Sequence, residues 1–145
     1  MDMQEVSEAL AAAAGTVIST PKLITYAFVP HSVTAPCCFV AEYTIDFDRA
    51  MNRALDAVDV TMRALVSPAD EAVGTRRLNG LLSGSGGGAL KQAIESARGA
   101  PGELALGGAA DDYRVTRIEG GRWYQHDGVQ YLGAEITVHV IGSSA

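Results

Sequence analysis

The sequence predicts an α+β fold, in which an antiparallel or mixed β-sheet is packed by helices on one face. Residues 37–47, 56–66 and 129–141 alternate apolar and polar side chains, as half-buried strands do. Residues 4–14 and 89–97 instead place apolar side chains at helical spacing. The order is one helix, three strands, two helices and two strands, which favours a layered sandwich over alternating βα units. We expect one domain spanning residues 1–145.

Local signals mark the ends of the helices. Asp2 followed by Glu5 resembles a capping box, and Gly15 stops the first helix. The second helix is predicted to begin after Ser67, with Pro68 at its first position, and to run to about Leu82.

The strands supply most of the predicted core. The first strand is expected at residues 22–30 and a later one at 112–118. A short separate strand at 122–125 precedes a turn at Asp127 and Gly128. In residues 37–47, strict alternation places Cys37, Phe39, Ala41, Tyr43 and Ile45 on one buried face. The predicted core comprises Phe39, Tyr43, Ile45, Val58, Val60, Met62, Leu90, Ile94, Ile136, Val138 and Val140.

Composition limits the possible functions. The chain has 145 residues, of which 48% are hydrophobic and 19% charged, enough to bury a core. Its net charge of −6 and its eleven scattered basic residues disfavour binding of nucleic acid through phosphate neutralisation. No apolar stretch is long enough to span a membrane, and the alanine-rich start lacks the basic region of a signal peptide. We therefore expect that the chain is made and used in a cytosol.

The cysteines and histidines do not form a recognisable metal-binding pattern. Cys37 and Cys38 are adjacent, so on a strand they point to opposite faces and cannot easily bridge each other. His31, His126 and His139 lie in three separate segments without ligand spacing. We interpret the cysteines as small packed side chains and expect neither a metal nor another cofactor.

Other candidates for chemistry are equally weak. The glycine-rich stretch at 84–88 lacks the pattern of a phosphate-binding loop and is better explained as a connector between helices. Asp46 and Asp48 share one face of a strand end, but no histidine or third acid lies nearby in the sequence to complete a site. Asp111 and Asp112 are adjacent and diverge if the chain is extended, so we interpret both pairs as solvated charges. A small enzyme whose site is assembled only in space stays possible, and a deep pocket with perturbed ionisable groups would reveal it.

Nearly the whole chain resembles one family in the order of its segments. The most telling are "TIDFDRAMNRALDAVDVTMRALVS" at 44–67, the passage from a helix through "LGG" to "DD" at 106–112, and "YLGAEITVHV" at 131–140. In these the chain resembles the tail terminator proteins of long-tailed, non-contractile bacteriophages. It departs from the family at "SARGAPGELALGG", residues 96–108.

The resemblance implies a structural function without catalysis. Such a protein forms a homohexameric ring that caps the head-proximal end of the tail tube, ends tube polymerisation and joins the tail to the head connector. Its partners are further copies of itself, the tail tube protein and the head-to-tail connector or stopper protein. DNA passes through the lumen without specific binding, and no membrane is involved. The implied location is the virion tail, assembled in the host cytoplasm.

The interface is expected in segments whose composition is unfavourable for an isolated subunit. Small residues beside a proline, glycine-rich links and aromatic residues near a hairpin tip are typical of contact regions. The predicted interface residues are Thr34, Pro36, Gly86, Gly87, Leu106, Gly107, Gly108, Trp123 and Tyr124. For Trp123, packing of the ring onto the sheet is an equally good interpretation. A neighbouring head-to-tail connector or stopper would share the ring and differ by contacting the portal side.

Overall fold

The computed structural model describes residues 1–18, 22–47, 55–67, 71–83, 89–100 and 102–143. Its helices are α1 (Met3–Ala14), α2 (Glu71–Leu82) and α3 (Leu90–Glu95), with one 3-10 turn at Leu106–Gly108. Its strands are β1 (Ile24–Tyr26), β2 (Cys37–Asp46), β3 (Leu55–Val66), β4 (Asp112–His126) and β5 (Val129–Ser143).

The five strands form one mixed sheet in the order β1-β2-β3-β5-β4. Strand β1 pairs with β2 in parallel, and the other three pairs are antiparallel. All three helices contribute side chains to one large core on the same face of the sheet. The predicted α+β class is therefore confirmed.

Helix α1 begins and ends as its sequence predicts. A carboxylate oxygen of Asp2 accepts hydrogen bonds from the backbone N–H groups of Gln4 at 2.8 Å and Glu5 at 3.4 Å. At the other end, the N–H of Gly15 donates to the carbonyl of Ala11 at 3.0 Å. These bonds satisfy groups that a helix terminus otherwise leaves unpaired. The predicted start of α2 at Pro68 lies outside the described residues.

The main core lies between the helices and strands β3 and β5. Alternate residues of both strands point into it, as the sequence predicts, and α3 adds Leu90 and Ile94. The predicted core residues that belong to this cluster are Val58, Val60, Met62, Leu90, Ile94, Ile136, Val138 and Val140.

Tyr113 on β4 ties the sheet to the segment after α3. Its ring is buried, its hydroxyl donates to the carbonyl of Ile94, and the same oxygen accepts the N–H of Ala97 at 3.1 Å. Burial raises the pKa of Tyr113 to about 12. The hydroxyl therefore stays protonated, and able to donate, beyond the pH at which an exposed tyrosine ionises.

Tyr113→Phe is expected to cost about 1–2 kcal/mol at pH 7, because the carbonyl of Ile94 loses its buried donor. Since the folded pKa is raised, the contribution of Tyr113 is fully present below about pH 10 and is lost as the pH rises towards 12. Urea unfolding at pH 7 to 11 should therefore show the difference between wild type and variant shrinking above pH 10. A constant difference over this range would contradict the assignment.

The predicted alternation of strand β2 is wrong because the strand contains a β-bulge. The pairing with β3 shifts between Val40 and Glu42, because β2 has one extra residue there. Even-numbered residues face the helices before the bulge, and odd-numbered residues face them after it. Phe39 is buried on the opposite face from the main core. Tyr43 is 51% exposed, and Ile45 is only partly buried against the helix-side core.

Three further boundaries differ from the sequence prediction. Residues 122–125 are not a separate strand but the outer half of β4, which continues through bulges between Val115 and Arg117 and between Gly120 and Arg122. Strand β1 and helix α3 are shorter than predicted. The predicted turn is confirmed, since Asp127 and Gly128 both have positive φ and connect β4 to β5.

Candidate assembly surface

A second, smaller apolar cluster lies on the sheet face opposite the helices. Its buried members are Cys37 and Phe39 on β2 and Leu65 on β3. Aromatic residues from three other strands pack around them, together with two small side chains. These partly buried neighbours are Tyr26, Val33, Ala41, Tyr124 and Tyr131. Within the described residues, these apolar side chains therefore cover one end of this sheet face, and partly exposed or exposed side chains such as Asp59, Thr61 and Thr137 lie along the rest.

Two segments predicted as interface meet at this cluster. The ring nitrogen Nε2 of His126 donates to the carbonyl of Pro30 at 2.6 Å, and the rings of His126 and Phe39 lie 5.7 Å apart. These contacts hold the segment before β2 against the end of the β4–β5 hairpin. Thr34 is exposed, whereas Pro36 is buried. Any role of Pro36 in an interface must therefore be indirect.

Trp123 and Tyr124 point to opposite faces of β4. Trp123 pairs with Leu132, whose side chain belongs to the main core, and lies in a groove beside Thr75 and Asn79 of α2. Its ring is 49% exposed. Tyr124 packs against the second cluster with the Arg63 guanidinium 4.5 Å from its ring centre, and burial raises its pKa. Trp123 therefore offers more free surface than Tyr124.

The glycine-rich link before β4 adopts the backbone that its sequence suggests. Gly107 and Gly108 have φ of 65° and 103°, a backbone conformation that glycine adopts without steric cost. Leu106 also has positive φ, and its buried side chain fixes the link to the core. Gly107 and Gly108 are exposed beside α1. Gly86 and Gly87 lie outside the described residues, so the predicted role of these positions stays a prediction.

Paired charges cover the open part of the sheet. Arg63 and Glu135 form an ion pair of 2.9 Å across β3 and β5, and His139 lies 2.7 Å from Asp59. On β4, Glu119 contacts Arg117 and also lies 2.6 Å from Arg122. Partly exposed pairs of this kind contribute little to stability, but they give the surface a defined charge pattern.

An apolar patch, comprising Phe28, Val29 and Tyr43, lies beside the outer edge of β2, and Phe47 is exposed just after the end of that strand. Phe47 is 72% exposed and Phe28 is 66% exposed. Phe28, Val29 and Tyr43 also line a groove against the start of α1. The sequence does not reveal this patch, because its alternation places Tyr43 in the core and Phe28 in a strand. Phe47, between two aspartates at the end of a strand, was the available signal.

The cysteines and Asp112, which were considered for catalysis or metal binding, lie in environments that suit a structural role. Burial raises the pKa of Cys37 to about 11 and that of Cys38 to about 12, so neither is a thiolate near neutral pH. Asp112 is paired with Arg98 at 3.1 Å, which lowers the pKa of its carboxyl group. Asp48 lies outside the described residues. Among those that the structure describes, no three His, Cys, Asp or Glu side chains are grouped to hold a metal ion.

Within the described part of the chain, no helix has the length and apolar character needed to cross a membrane.

A scan against models of known protein families finds no match, and a search of curated proteins finds no significantly similar sequence.

Proposed function

We propose that this protein is a structural subunit of a bacteriophage tail, a tail terminator. Six copies form a ring on the head-proximal end of the tail tube, end its polymerisation and provide the surface for the head-to-tail connector. The order of segments along nearly the whole chain supports this proposal. The observation that carries it is the apolar patch, whose exposed aromatic side chains lie beside a sheet edge and are suited to contact with another protein.

The arrangement of the sheet suits a ring subunit. The helices pack on one face, so among the described residues the exposed side chains of the other face and of the outer strand β4 can make contacts with a neighbouring copy. A ring repeats one contact between two different surfaces of the same chain until it closes, and a hexameric tube can then stack against it. The rigid sheet would hold these surfaces in a fixed geometry.

The charge of the chain agrees with passage of DNA through the ring. Each copy has a net charge of −6. A lumen lined by an excess of acidic side chains repels phosphates, so DNA would move through without being held. As a tail terminator, the protein would be located in the tail of the virion, after assembly in the host cytoplasm.

Reconstruction of the virion by electron microscopy tests the proposal. Density for this chain should form a six-membered ring between the last ring of the tail tube and the connector. A phage lacking the chain should make tails of variable length, and expression of the wild-type protein in trans should restore uniform length.

Two outcomes would contradict the proposal. A ring of this chain on the portal side, without contact to the tube, would instead assign it as a head-to-tail connector or stopper. Tails of uniform length in the absence of the chain would remove the terminator function.

A further inference from the structure

The outer half of strand β4 forms a regular edge of the sheet. Beyond the bulge between Gly120 and Arg122, residues 122–126 pair without interruption with residues 129–133 of β5. Within the described residues, no strand pairs with the other side of β4. An edge of this kind presents backbone N–H and C=O groups to which a further strand can bind.

The turn between β4 and β5 determines which backbone groups point outward. The turn at 127–128 has two residues, so the flanking residues, His126 and Val129, exchange hydrogen bonds with each other. Hydrogen bonding to a given neighbour alternates along an antiparallel strand. Trp123 and Gln125 therefore direct their N–H and C=O groups away from β5, towards the outer edge.

A groove of about 320 Å³ lies on the helix side of this edge, between β4 and α2. Leu78 of α2 and Leu132 of β5, which belong to the main core, form its apolar base. The half-exposed ring of Trp123 and the polar side chains of Thr75 and Asn79 form its walls. In an added strand, the residue opposite Trp123 would point to the same face, so an apolar side chain there would enter the groove.

The other face of the same edge is basic. Arg117 and Arg122 are both exposed and share one carboxylate, that of Glu119. One positive charge is therefore in excess there, although the whole chain has a net charge of −6. Arg122 lies on the face without helices, since it pairs with Gly133, which pairs with Leu65 of the second cluster. Residues that flank an apolar residue in an added strand point to this face, where acidic side chains are favoured.

We propose that the outer half of β4 and the groove beside α2 bind an extended segment of another protein, in which apolar side chains alternate with acidic ones. The segment adds a strand to the sheet, inserts an apolar side chain between Trp123 and α2, and places a carboxylate beside Arg122. Main-chain hydrogen bonds supply affinity, and the alternating side chains supply specificity. Such binding requires neither a ring nor a tail.

Trp123 is the only tryptophan of the chain, so its fluorescence reports directly on the groove. The probe is a short synthetic peptide in which leucine alternates with aspartate, titrated into the full chain. Binding should be saturable, shift the emission to shorter wavelength and protect the ring from acrylamide quenching. A peptide with lysine in place of aspartate should bind at least roughly tenfold more weakly, because lysine would face the arginines. Equal or stronger binding of the lysine peptide, or no saturable binding of either, would overturn the proposal.

Methylation of backbone nitrogens separates strand addition from simple apolar contact. Only alternate residues of an added strand direct their N–H groups to β4. N-methylation of one set, the leucines or the aspartates, should therefore abolish binding, and methylation of the other set should leave it nearly unchanged. The leucine set blocks an antiparallel segment, because leucine lies opposite Trp123, and the aspartate set blocks a parallel one. Equal effects of the two sets would contradict pairing with the edge.

Charge reversal tests the basic face. Arg122→Glu should weaken binding of the aspartate peptide by roughly tenfold and strengthen binding of the lysine peptide. Arg114→Glu makes the same change at an exposed position near the other end of β4 and should alter neither affinity. Anisotropy of fluorescently labelled peptides gives these affinities. Equal behaviour of the two variants would overturn the role of Arg122.

Filling the groove tests its apolar face. Thr75→Phe places a ring at the wall of the groove and should weaken binding of the aspartate peptide by roughly tenfold. Gly80→Phe adds the same ring to α2 at a position where a Cβ atom meets no atom within 4 Å, and it should bind as the wild type does. Unchanged affinity of Thr75→Phe would show that no side chain enters the groove.

A second copy of this chain is the competing occupant. If the emission of Trp123 shifts to shorter wavelength as the protein is concentrated without peptide, in step with sedimentation as an oligomer, the groove belongs to a second copy and the proposal is overturned. A constant emission spectrum, together with saturable peptide binding, supports it. Absence of a ring of this chain from the virion would remove the terminator function and leave the peptide binding unchanged.

Discussion

Ile136→Asp is expected to prevent the chain from folding into a soluble, cooperative state. Ile136 is fully buried on β5, opposite Met62 of β3, inside the main core. An aspartate there would be surrounded by aliphatic side chains and would have to be buried either charged or as an unsatisfied acid. The cost, roughly 4–5 kcal/mol or more, is comparable with the whole stability of a small domain. Val60→Asp should behave in the same way.

The neighbouring residue provides a matched control. Thr137 lies next to Ile136 in sequence but on the other face of the sheet, where it pairs with Arg117 on β4. Thr137→Asp introduces the same side chain into the same strand beside a basic group and should change stability by no more than about 1 kcal/mol. Soluble yield and thermal melting followed by circular dichroism measure all three variants. Normal yield and melting of Ile136→Asp would show that the register of β5 is wrong.

The parts of the fold that were predictable are those fixed by local chemistry. Asp2 and Gly15 mark the ends of α1 because their hydrogen bonds join residues only a few positions apart. Strands β3 and β5 were assigned to the correct faces because both are central and unbroken along their pairing with each other. In such strands, the period of two in the sequence is enough to separate buried from exposed side chains.

In strand β2, the period of two in the sequence does not predict which side chains are buried. The bulge near Ala41 adds one residue without any glycine or proline to mark it, so strict alternation assigns Tyr43 to the buried side chains and Phe39 to the main core. Phe39 is buried instead against His126, a residue 87 positions later in the sequence. Contacts between such distant segments depend on the whole sheet and leave no periodic signal in either segment.

The candidate interface also depends on contacts between segments that are distant in the sequence. Thr34 and Tyr124 were predicted from separate local features, and only the folded sheet brings their segments together. Leu106 and Pro36 were also predicted to be at the interface, yet both are buried within the chain. An apolar residue in a loop is compatible with either environment, and the sequence alone does not distinguish them.

Gly133→Val is expected to destabilise the protein by roughly 3 kcal/mol, through steric overlap in the middle of the sheet. A Cβ atom at this position would lie 2.5 Å from the carbonyl oxygen of Ala64, 2.7 Å from Leu65 and 2.9 Å from the ring of Tyr124. The closest of these atoms belongs to the backbone of β3, which cannot move aside without breaking its pairing with β5. The glycine is therefore required for the close approach of Tyr124 and Leu65 in the second cluster.

Gly80 of α2 is the control for this substitution. A Cβ atom there would meet no atom within 4 Å, and helical backbone favours alanine over glycine by roughly 0.5–1 kcal/mol. Gly80→Ala should thus stabilise the chain, while Gly133→Val lowers the urea midpoint sharply and increases the exposure of Tyr124. Fluorescence and urea titration follow both effects. Unfolding of Gly133→Val at the wild-type urea midpoint would contradict the prediction. It would mean that Ala64, Leu65 and Tyr124 do not approach residue 133 closely and that the second cluster does not depend on this glycine.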